Sequence, residues 1–145
     1  MKKIKIISFV LTLAFVCAAF TACGPFEGFD DDDAIVSGNS FSSVGSMSKQ
    51  TLAEYTFRAN KCNGVKRIKD ITVPADPVFE ITLTVESGRF KVVLVKDGEV
   101  WTIADGDDLL APLPVPPAGT YNLRIVAKDA KVNLRILFDV GTLIS

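Results

Sequence analysis

The chain has 145 residues, with 16 basic and 17 acidic side chains, 48% hydrophobic residues, three cysteines and no histidine. Histidine is the most frequent general acid–base residue and the commonest metal ligand, so its absence excludes Ser-His-Asp and Cys-His catalysis and most zinc sites. The slightly acidic balance argues against nucleic acid as a partner, because proteins that bind nucleic acid carry a basic face.

Residues 1–22 have the pattern of an export signal. Three lysines precede the first acidic residue, and residues 6–20 form an uncharged, mostly apolar run that ends in small residues. A membrane-spanning helix needs about 20 apolar residues, so a run of this length is typical of a cleaved signal peptide rather than of a retained span.

The residues that close this run, Phe20-Thr21-Ala22-Cys23, resemble the lipobox of bacterial lipoproteins. Thr21 and Ala22 fit the small residues that the family places before its cysteine, whereas Phe20 departs from the usual leucine. The resemblance implies that Cys23 becomes an acylated N-terminus. Two or three acyl chains anchor a protein durably, which predicts a lipoprotein that faces outside the cytoplasm, at the outer membrane or the cell surface.

Removal of residues 1–22 leaves 13 basic and 17 acidic residues, a net charge of −4. It also leaves Cys62 as the one cysteine besides the lipidated one, so an intramolecular disulfide is not available. A lone cysteine in an exported chain is a reactive thiol, an intermolecular link or a partly buried small residue. Nothing near Cys62 in the sequence supplies a catalytic partner, which favours the buried residue.

Residues 23–50 are predicted to form a flexible tether after the lipidated cysteine. They are rich in serine and glycine and contain an acidic run at residues 30–33. A disordered chain of this length spans about 30 Å on average. The run lacks the alternating spacing of a calcium loop, so a solvated spacer is the better interpretation. Acidic residues shortly after the cysteine also resemble a surface-export signal of some Gram-negative lipoproteins.

Residues 51–145 are predicted to form a single domain of β-strands. Apolar residues alternate with polar ones through residues 79–86, which is the period of a half-buried strand. Turns are predicted at Asn63-Gly64, Ser87-Gly88 and Asp97-Gly98, of which Asp97-Gly98 has the sharpest signal for a two-residue hairpin. About seven short strands result, and they predict an antiparallel β-sandwich of immunoglobulin-like size, with a jelly roll as the alternative.

The end of the domain predicts one more hairpin. If residues 121–127 pair with residues 132–138 across a turn at residues 128–131, every apolar side chain of one strand faces an apolar side chain of the other. The phrase PAGTYNLRIV at residues 117–126 is similar to the strand entry of secreted bacterial β-sandwich modules, including the pre-peptidase C-terminal type.

The same register places Arg124 opposite Arg135 on the outer face, with Asn122 and Asn133 beside them. Guanidinium groups bind oxyanions in a bidentate way, so these four residues are the predicted binding site for a sulfate, a carboxylate or an acidic sugar. The alternative is structural, with a carboxylate such as Glu80 or Glu86 lying between the two arginines.

Three aspartates of one loop, Asp105, Asp107 and Asp108, are weak candidates for calcium ligands, because they lack a closing glutamate and a defined spacing. The sequence therefore predicts no metal and no cofactor. The prolines that follow in residues 112–117 predict a stiff, extended connection.

These features together predict a non-catalytic binding module, anchored to the membrane through Cys23, with an envelope protein or a polysaccharide as partner. A carboxylate-based hydrolase is the alternative from another class, for example a glycosidase using two of Glu80, Glu86 and Glu99. A structural subunit of an envelope complex is the third possibility. A domain of about 90 residues offers little room for the cleft that a glycosidase needs.

Overall fold

The computed structural model describes residues 26–75, 79–106 and 116–138. These residues form one short helix and six strands that belong to one antiparallel sheet. In chain order the elements are α1 (Asp32–Ser37), β1 (Phe41–Val44), β2 (Met47–Gln50), β3 (Glu54–Val73), β4 (Phe79–Lys96), β5 (Glu99–Asp105) and β6 (Gly119–Phe138).

The sheet is built on three strands of unusual length. β3 and β6 have 20 residues each and β4 has 18, whereas strands commonly have about 5–6. β6 lies in the middle, paired with β3 on one side and β4 on the other, and the full order is β1-β3-β6-β4-β5 with β2 also on β3. Both edges of β6 are therefore occupied by strands that come from earlier parts of the chain.

The three long strands bend side by side at residues of positive φ. Gly64 of β3, Gly88 of β4 and Asp129 of β6 all have positive φ, at 107°, 72° and 50°. The pairing register shifts around each of them, as it does at β-bulges, which bend a strand and increase its twist. We call these three residues the fold line, because the sheet turns back on itself along it.

The fold line divides the sheet into two layers that pack face to face. Lys69 and Phe138 lie far apart along the pairing ladder, yet the Lys69 ammonium is 5.2 Å from the centre of the Phe138 ring. Phe57 and Phe90, from opposite sides of the fold line, stack with ring centres 6.3 Å apart. The first layer comprises residues 54–62, 79–87 and 130–138, and the second layer comprises residues 64–73, 89–96, 99–105 and 119–127.

The core lies between the layers and is continuous. Its largest fully buried side chains come from all three long strands, and both layers contribute to it. Burial of this kind stabilises a domain at roughly 25 cal/mol per Å² of apolar surface. The main contributors are Phe57, Ile71, Phe90, Leu94, Leu123, Ile125, Leu134 and Ile136.

Residues 26–40, here called the N-terminal segment, cover the outer face of the second layer. Phe29 and Ile35 are buried there against Val65, Val93 and Val126. The Phe29 ring lies 4.2 Å from the Arg89 guanidinium carbon and 4.6 Å from the Lys91 ammonium. The segment explains why residues 92–95 are all buried, since this part of β4 is covered on both faces.

Arg89 and Lys91 fix this segment through charge as well as packing. Arg89 donates two hydrogen bonds to the carboxylate of Asp30, at 2.6 Å and 3.0 Å. These bonds lower the pKa of Asp30. Burial lowers the pKa of Lys91, and the nearby carboxylates of Asp105 and Asp30 oppose that shift.

The all-β antiparallel sandwich class predicted from the sequence is confirmed, but its strands are divided differently. The Asp97-Gly98 hairpin is confirmed, with Lys96 paired to Glu99 and both turn residues at positive φ. At Asn63-Gly64 and Ser87-Gly88 the predicted turns are wrong. A type I′ turn needs positive φ at two successive residues, and at both places the glycine alone has it, so the strand bends and continues.

The predicted hairpin between residues 121–127 and residues 132–138 is also wrong. Both stretches belong to the continuous strand β6, and they pair with β3 and β4 instead of with each other. The apolar pattern fits a hairpin because both stretches turn alternate residues toward the same core. Residues 121–127 do so from the second layer and residues 132–138 from the first.

The flexible tether predicted over residues 23–50 is wrong for residues 26–50. Asp31 caps α1 by accepting a hydrogen bond from the Asp33 amide, and β1 and β2 pair with β3. The burial of Phe29 and Ile35 explains why this serine- and aspartate-rich stretch is ordered. Across residues 26–75, 79–106 and 116–138, no helix has the length and hydropathy needed to cross a membrane.

Candidate functional site

Arg124 is not part of an exposed arginine pair. It lies in the second layer opposite Arg67 and Val93, whereas Arg135 lies in the first layer opposite Thr56 and Thr82. The register that would bring Arg124 and Arg135 together depended on the C-terminal hairpin. The predicted oxyanion site is therefore not formed by these two residues.

The Arg124 guanidinium holds the N-terminal segment on the sheet. The side chain is 6% exposed, and Nη1 donates hydrogen bonds to the carbonyl oxygens of Ile35 and Val36, at 2.7 Å and 2.8 Å. Nε donates to the Asn122 side-chain oxygen at 2.8 Å, and Asn122 in turn donates to Asp70 at 3.0 Å. Burial, with Arg67 nearby, lowers the pKa of Arg124. Arg124 and Asn122 thus bind the chain itself.

Arg135 and Asn133 lie on the outer face of the first layer. Arg135 donates from Nε to Glu54 at 3.0 Å. The structural alternative of a carboxylate such as Glu80 or Glu86 between the two arginines is not formed either, because Arg124 and Arg135 lie in different layers. Asn133 lines an open hollow of about 390 Å³ between β2 and β3, together with Met47, Lys49 and Arg58. Its lining does not include Arg135, and the Met47 side chain is 73% exposed.

Of the three candidate calcium ligands, only Asp105 lies within the described residues. Asp105 is the last residue of β5 and pairs with Lys91, while Asp107 and Asp108 lie outside the described residues. Within the described part of the chain, no group of three or more acidic, cysteine or histidine side chains could hold a metal ion.

The three glutamates of the hydrolase alternative lie at different places. Glu80 and Glu86 are on one strand of the first layer, six residues apart, or roughly 20 Å in extended chain. Glycosidase carboxyls need to be within about 5–10 Å of each other. Glu86 forms an ion pair with Lys131 at 2.9 Å, and Glu99 lies beyond the fold line at the start of β5.

Glu99 belongs to a hollow at the far end of the second layer, which we call the Trp101 hollow. It measures about 190 Å³ and is lined by Lys96, Asp97, Glu99, Trp101, Pro117 and Tyr121. The β4–β5 hairpin creates it, because Lys96 pairs with Glu99 and Leu94 pairs with Trp101. Paired residues turn to the same face, so Lys96, Glu99 and Trp101 continue the inner face on which Leu94 is buried.

The walls of the Trp101 hollow are held in place by short contacts. The Tyr121 hydroxyl donates to the Pro117 carbonyl oxygen at 2.5 Å, and the Lys96 ammonium lies 5.6 Å from the centre of the Tyr121 ring. Burial, together with the charge of Glu99, raises the pKa of Tyr121. Trp101 is partly buried against the core and lines the hollow. One hollow thus combines an aromatic wall, an ammonium and two carboxylates.

Sequence reasoning did not predict this hollow. A signal was present, because charged residues flank the Asp97-Gly98 turn and Trp101, the single tryptophan of the chain, follows Glu99 at strand spacing. The contribution of Tyr121 and Pro117 had no such signal, since β6 reaches the hairpin through long-range pairing with β4.

Of the cysteines, Cys23 lies outside the described residues and Cys62 is buried in the core at the fold line. The Cys62 thiol donates to the Ala130 carbonyl oxygen at 3.4 Å. Burial raises the pKa of this thiol to about 11. Since thiolates are the reactive form, the interpretation of Cys62 as a buried small residue is confirmed.

No protein-family model, curated protein or solved structure gave a significant match to this sequence.

Proposed function

We propose that this protein is a bacterial lipoprotein of the cell envelope whose β-sandwich is a non-catalytic binding module. The observation that carries the proposal is Cys23 and its context: a basic start, an apolar run and small residues immediately before the cysteine. Acylation of Cys23 anchors the chain to a membrane, and the Trp101 hollow is the site that the domain offers to a ligand.

The position of Phe26 determines how the anchored domain is oriented. The Phe26 amide donates to the Asn63 side-chain oxygen at 3.3 Å, and the same oxygen accepts from the Asp129 amide at 2.7 Å. Phe26 therefore lies at the fold line. Three residue steps from Cys23 to Phe26 span at most about 11 Å. The fold line then faces the lipid head groups, and this short reach leaves no room for a long tether between the lipid and the domain.

The charges near the fold line support anchoring by acyl chains instead of by electrostatic attraction. Each of four basic side chains there has an acidic partner within 4 Å, so this end has little net charge with which to attract anionic lipid. The pairs are Lys61–Asp129, Arg89–Asp30, Lys128–Glu27 and Lys131–Glu86.

The Trp101 hollow favours binding over hydrolysis. Asp97 and Glu99 are both exposed. Glycosidases hold their general acid in an enclosed apolar pocket, whereas both of these carboxylates are at the surface. The hollow is also open and shallow at about 190 Å³, without the enclosed cleft that excludes water from a reaction.

The test of anchoring is Cys23→Ala in the native host, with Cys62→Ala as the matched control. We expect Cys23→Ala to move the protein from the membrane fraction to the medium or periplasm, because the acylated thiol is lost. Cys62→Ala should stay in the membrane fraction. Retention of Cys23→Ala in the membrane fraction, or equal release of both variants, would overturn the proposal.

A further inference from the structure

The Trp101 hollow matches the surface of a sugar ring in two respects. A pyranose presents an apolar face of C–H groups and an equatorial rim of hydroxyls. Trp101 lines the hollow and offers an apolar wall to the C–H face, since aromatic rings bury large contact area with few rotatable bonds.

Polar groups around this wall can satisfy the hydroxyl rim. The carboxylates of Asp97 and Glu99 accept hydrogen bonds, and the Lys96 ammonium has three donors. Charged groups make stronger hydrogen bonds with hydroxyls than neutral groups do. The Tyr121 hydroxyl is already engaged by the Pro117 carbonyl oxygen, so this ring forms a fixed wall.

The hollow is also formed in advance of binding. Five of its six residues lie on the β4–β5 hairpin or on the central strand β6, and Pro117, which precedes β6, accepts a hydrogen bond from the Tyr121 hydroxyl. Lys96 lies over the Tyr121 ring. Gly119 makes room for that lysine, since a Cβ at this position would lie 2.5 Å from the Lys96 nitrogen. A rigid site loses little conformational entropy when a ligand binds, which allows a small contact area to be useful.

We infer that the Trp101 hollow binds one ring of a neutral saccharide. With one ammonium and two carboxylates, the lining has a net negative charge, which disfavours uronic acids and other acidic sugars. This inference deepens the proposed binding function, on which it rests. The ligand site is the negatively charged Trp101 hollow, whereas the sequence had predicted a positively charged site at Arg124 and Arg135.

Trp101 provides the readout, because it is the single tryptophan of the chain. The full chain is solubilised in lauryldimethylamine oxide, a detergent without a sugar head group, and titrated with cellotetraose, mannotetraose and chitotetraose. Tetragalacturonate serves as the acidic comparison. We expect a saturable change of tryptophan emission with at least one neutral tetrasaccharide, and at least tenfold weaker binding of tetragalacturonate.

Two conservative variants test the polar rim. Glu99→Gln and Asp97→Asn remove a charge without changing shape, and we expect Glu99→Gln to weaken binding about tenfold, the size of one charge-assisted hydrogen bond. Glu80→Gln, an exposed carboxylate of the first layer, is the matched control and should change the dissociation constant less than twofold. Trp101→Ala, followed by calorimetry, should abolish binding.

The outcomes separate this inference from the proposed function. An unchanged emission with all three neutral tetrasaccharides overturns saccharide binding, as does equal weakening by Glu99→Gln and Glu80→Gln. Tighter binding of tetragalacturonate would overturn the charge argument. Release of shortened sugars would overturn the non-catalytic assignment, and retention of Cys23→Ala in the membrane would overturn the anchoring while leaving saccharide binding intact.

Discussion

Three titratable groups of the described core, Cys62, Tyr55 and Tyr121, have raised pKa values and make the domain sensitive to alkali. Burial raises the pKa of Cys62 from 9.0 to about 11 and that of Tyr55 from 10.0 to about 12. At pH values between the two pKa values of each group, that group has lost its proton in the unfolded chain but keeps it in the folded one. The folded state then binds more protons, so the free energy of unfolding falls as pH rises.

Cys62→Ser separates the two contributions. Serine does not ionise in this range, and its hydroxyl can donate to Ala130 as the thiol does. Between pH 8 and pH 11 we expect the wild-type protein to lose about 2–3 kcal/mol more stability than the variant, as measured by urea unfolding. Tyr55 and Tyr121 titrate in both proteins, so their contributions cancel in the difference. Parallel stability curves would contradict the burial of the thiol.

Arg124 and Arg135 differ in burial, and this difference predicts different costs of removal. Arg124→Ala leaves the carbonyl groups of Ile35 and Val36 without their donor, and we expect a loss of about 3 kcal/mol in urea unfolding. Arg135 is exposed and pairs with Glu54, so Arg135→Ala should cost less than about 1 kcal/mol.

Limited proteolysis locates the effect of Arg124→Ala. The first cleavage should fall in the N-terminal segment, because Arg124 binds the end of α1 to the second layer. Equal stability losses for Arg124→Ala and Arg135→Ala would contradict this role.

At the scale of elements, Gly64 and Gly88 each have an isolated positive φ within a continuous strand, whereas the two successive positive φ values of Asp97 and Gly98 form a hairpin turn. Gly88 and Gly98 have nearly the same φ, 72° and 77°, but they lie in different surroundings. A Cβ at Gly88 would collide with the carbonyl oxygen of Asp129 in the neighbouring strand, whereas a Cβ at Gly98 would meet nothing within 4 Å. Gly88 of the fold line is therefore required both for its positive φ and for the close approach of the Asp129 backbone.

Gly88→Ala and Gly98→Ala test this distinction. Alanine in a left-handed conformation costs roughly 1–2 kcal/mol, which is the full effect that we expect at Gly98. At Gly88 the collision with backbone adds to this strain, and we expect a loss above about 3 kcal/mol, measured by urea unfolding at neutral pH. Similar losses at the two positions would show that β4 does not bend against β6 there.

Element boundaries could be predicted only where local chemistry decides them. The Asp97-Gly98 hairpin followed from two residues that tolerate positive φ, and it is present. Asn63-Gly64 and Ser87-Gly88 carry a similar local signal, but pairing with β6 on both sides of the bend keeps the strands continuous. The run Val92-Val93-Leu94-Val95 does not alternate, and it was the available sign that β4 is covered on both faces.

At the scale of the whole molecule, alternation of apolar residues was enough to predict an all-β sandwich. The arrangement of its layers was not predictable in the same way, because β6 pairs with residues more than 25 positions away in the sequence. The candidate site could be predicted only in part for the same reason. Trp101 and Glu99 are adjacent by strand spacing, but Tyr121 joins them through the central position of β6.

The two ends of the second layer have separate tasks in the proposed function. From Arg89 at the fold line to Lys96 at the hairpin, seven residue steps of extended strand span roughly 23 Å. With the fold line at the membrane, the Trp101 hollow is at the end of the second layer away from it. The sheet itself supplies the spacing that the sequence had suggested for a flexible tether.

The fold line also has a consequence for how the domain unfolds. Because β3, β4 and β6 each run through both layers and the apolar core lies between the layers, melting of one layer would expose the apolar face of the other. Slow amides of residues 54–62 and of residues 119–127 should therefore exchange with deuterium at one common free energy, that of global opening. We therefore expect the two layers of this folded sheet to unfold together, as one cooperative unit.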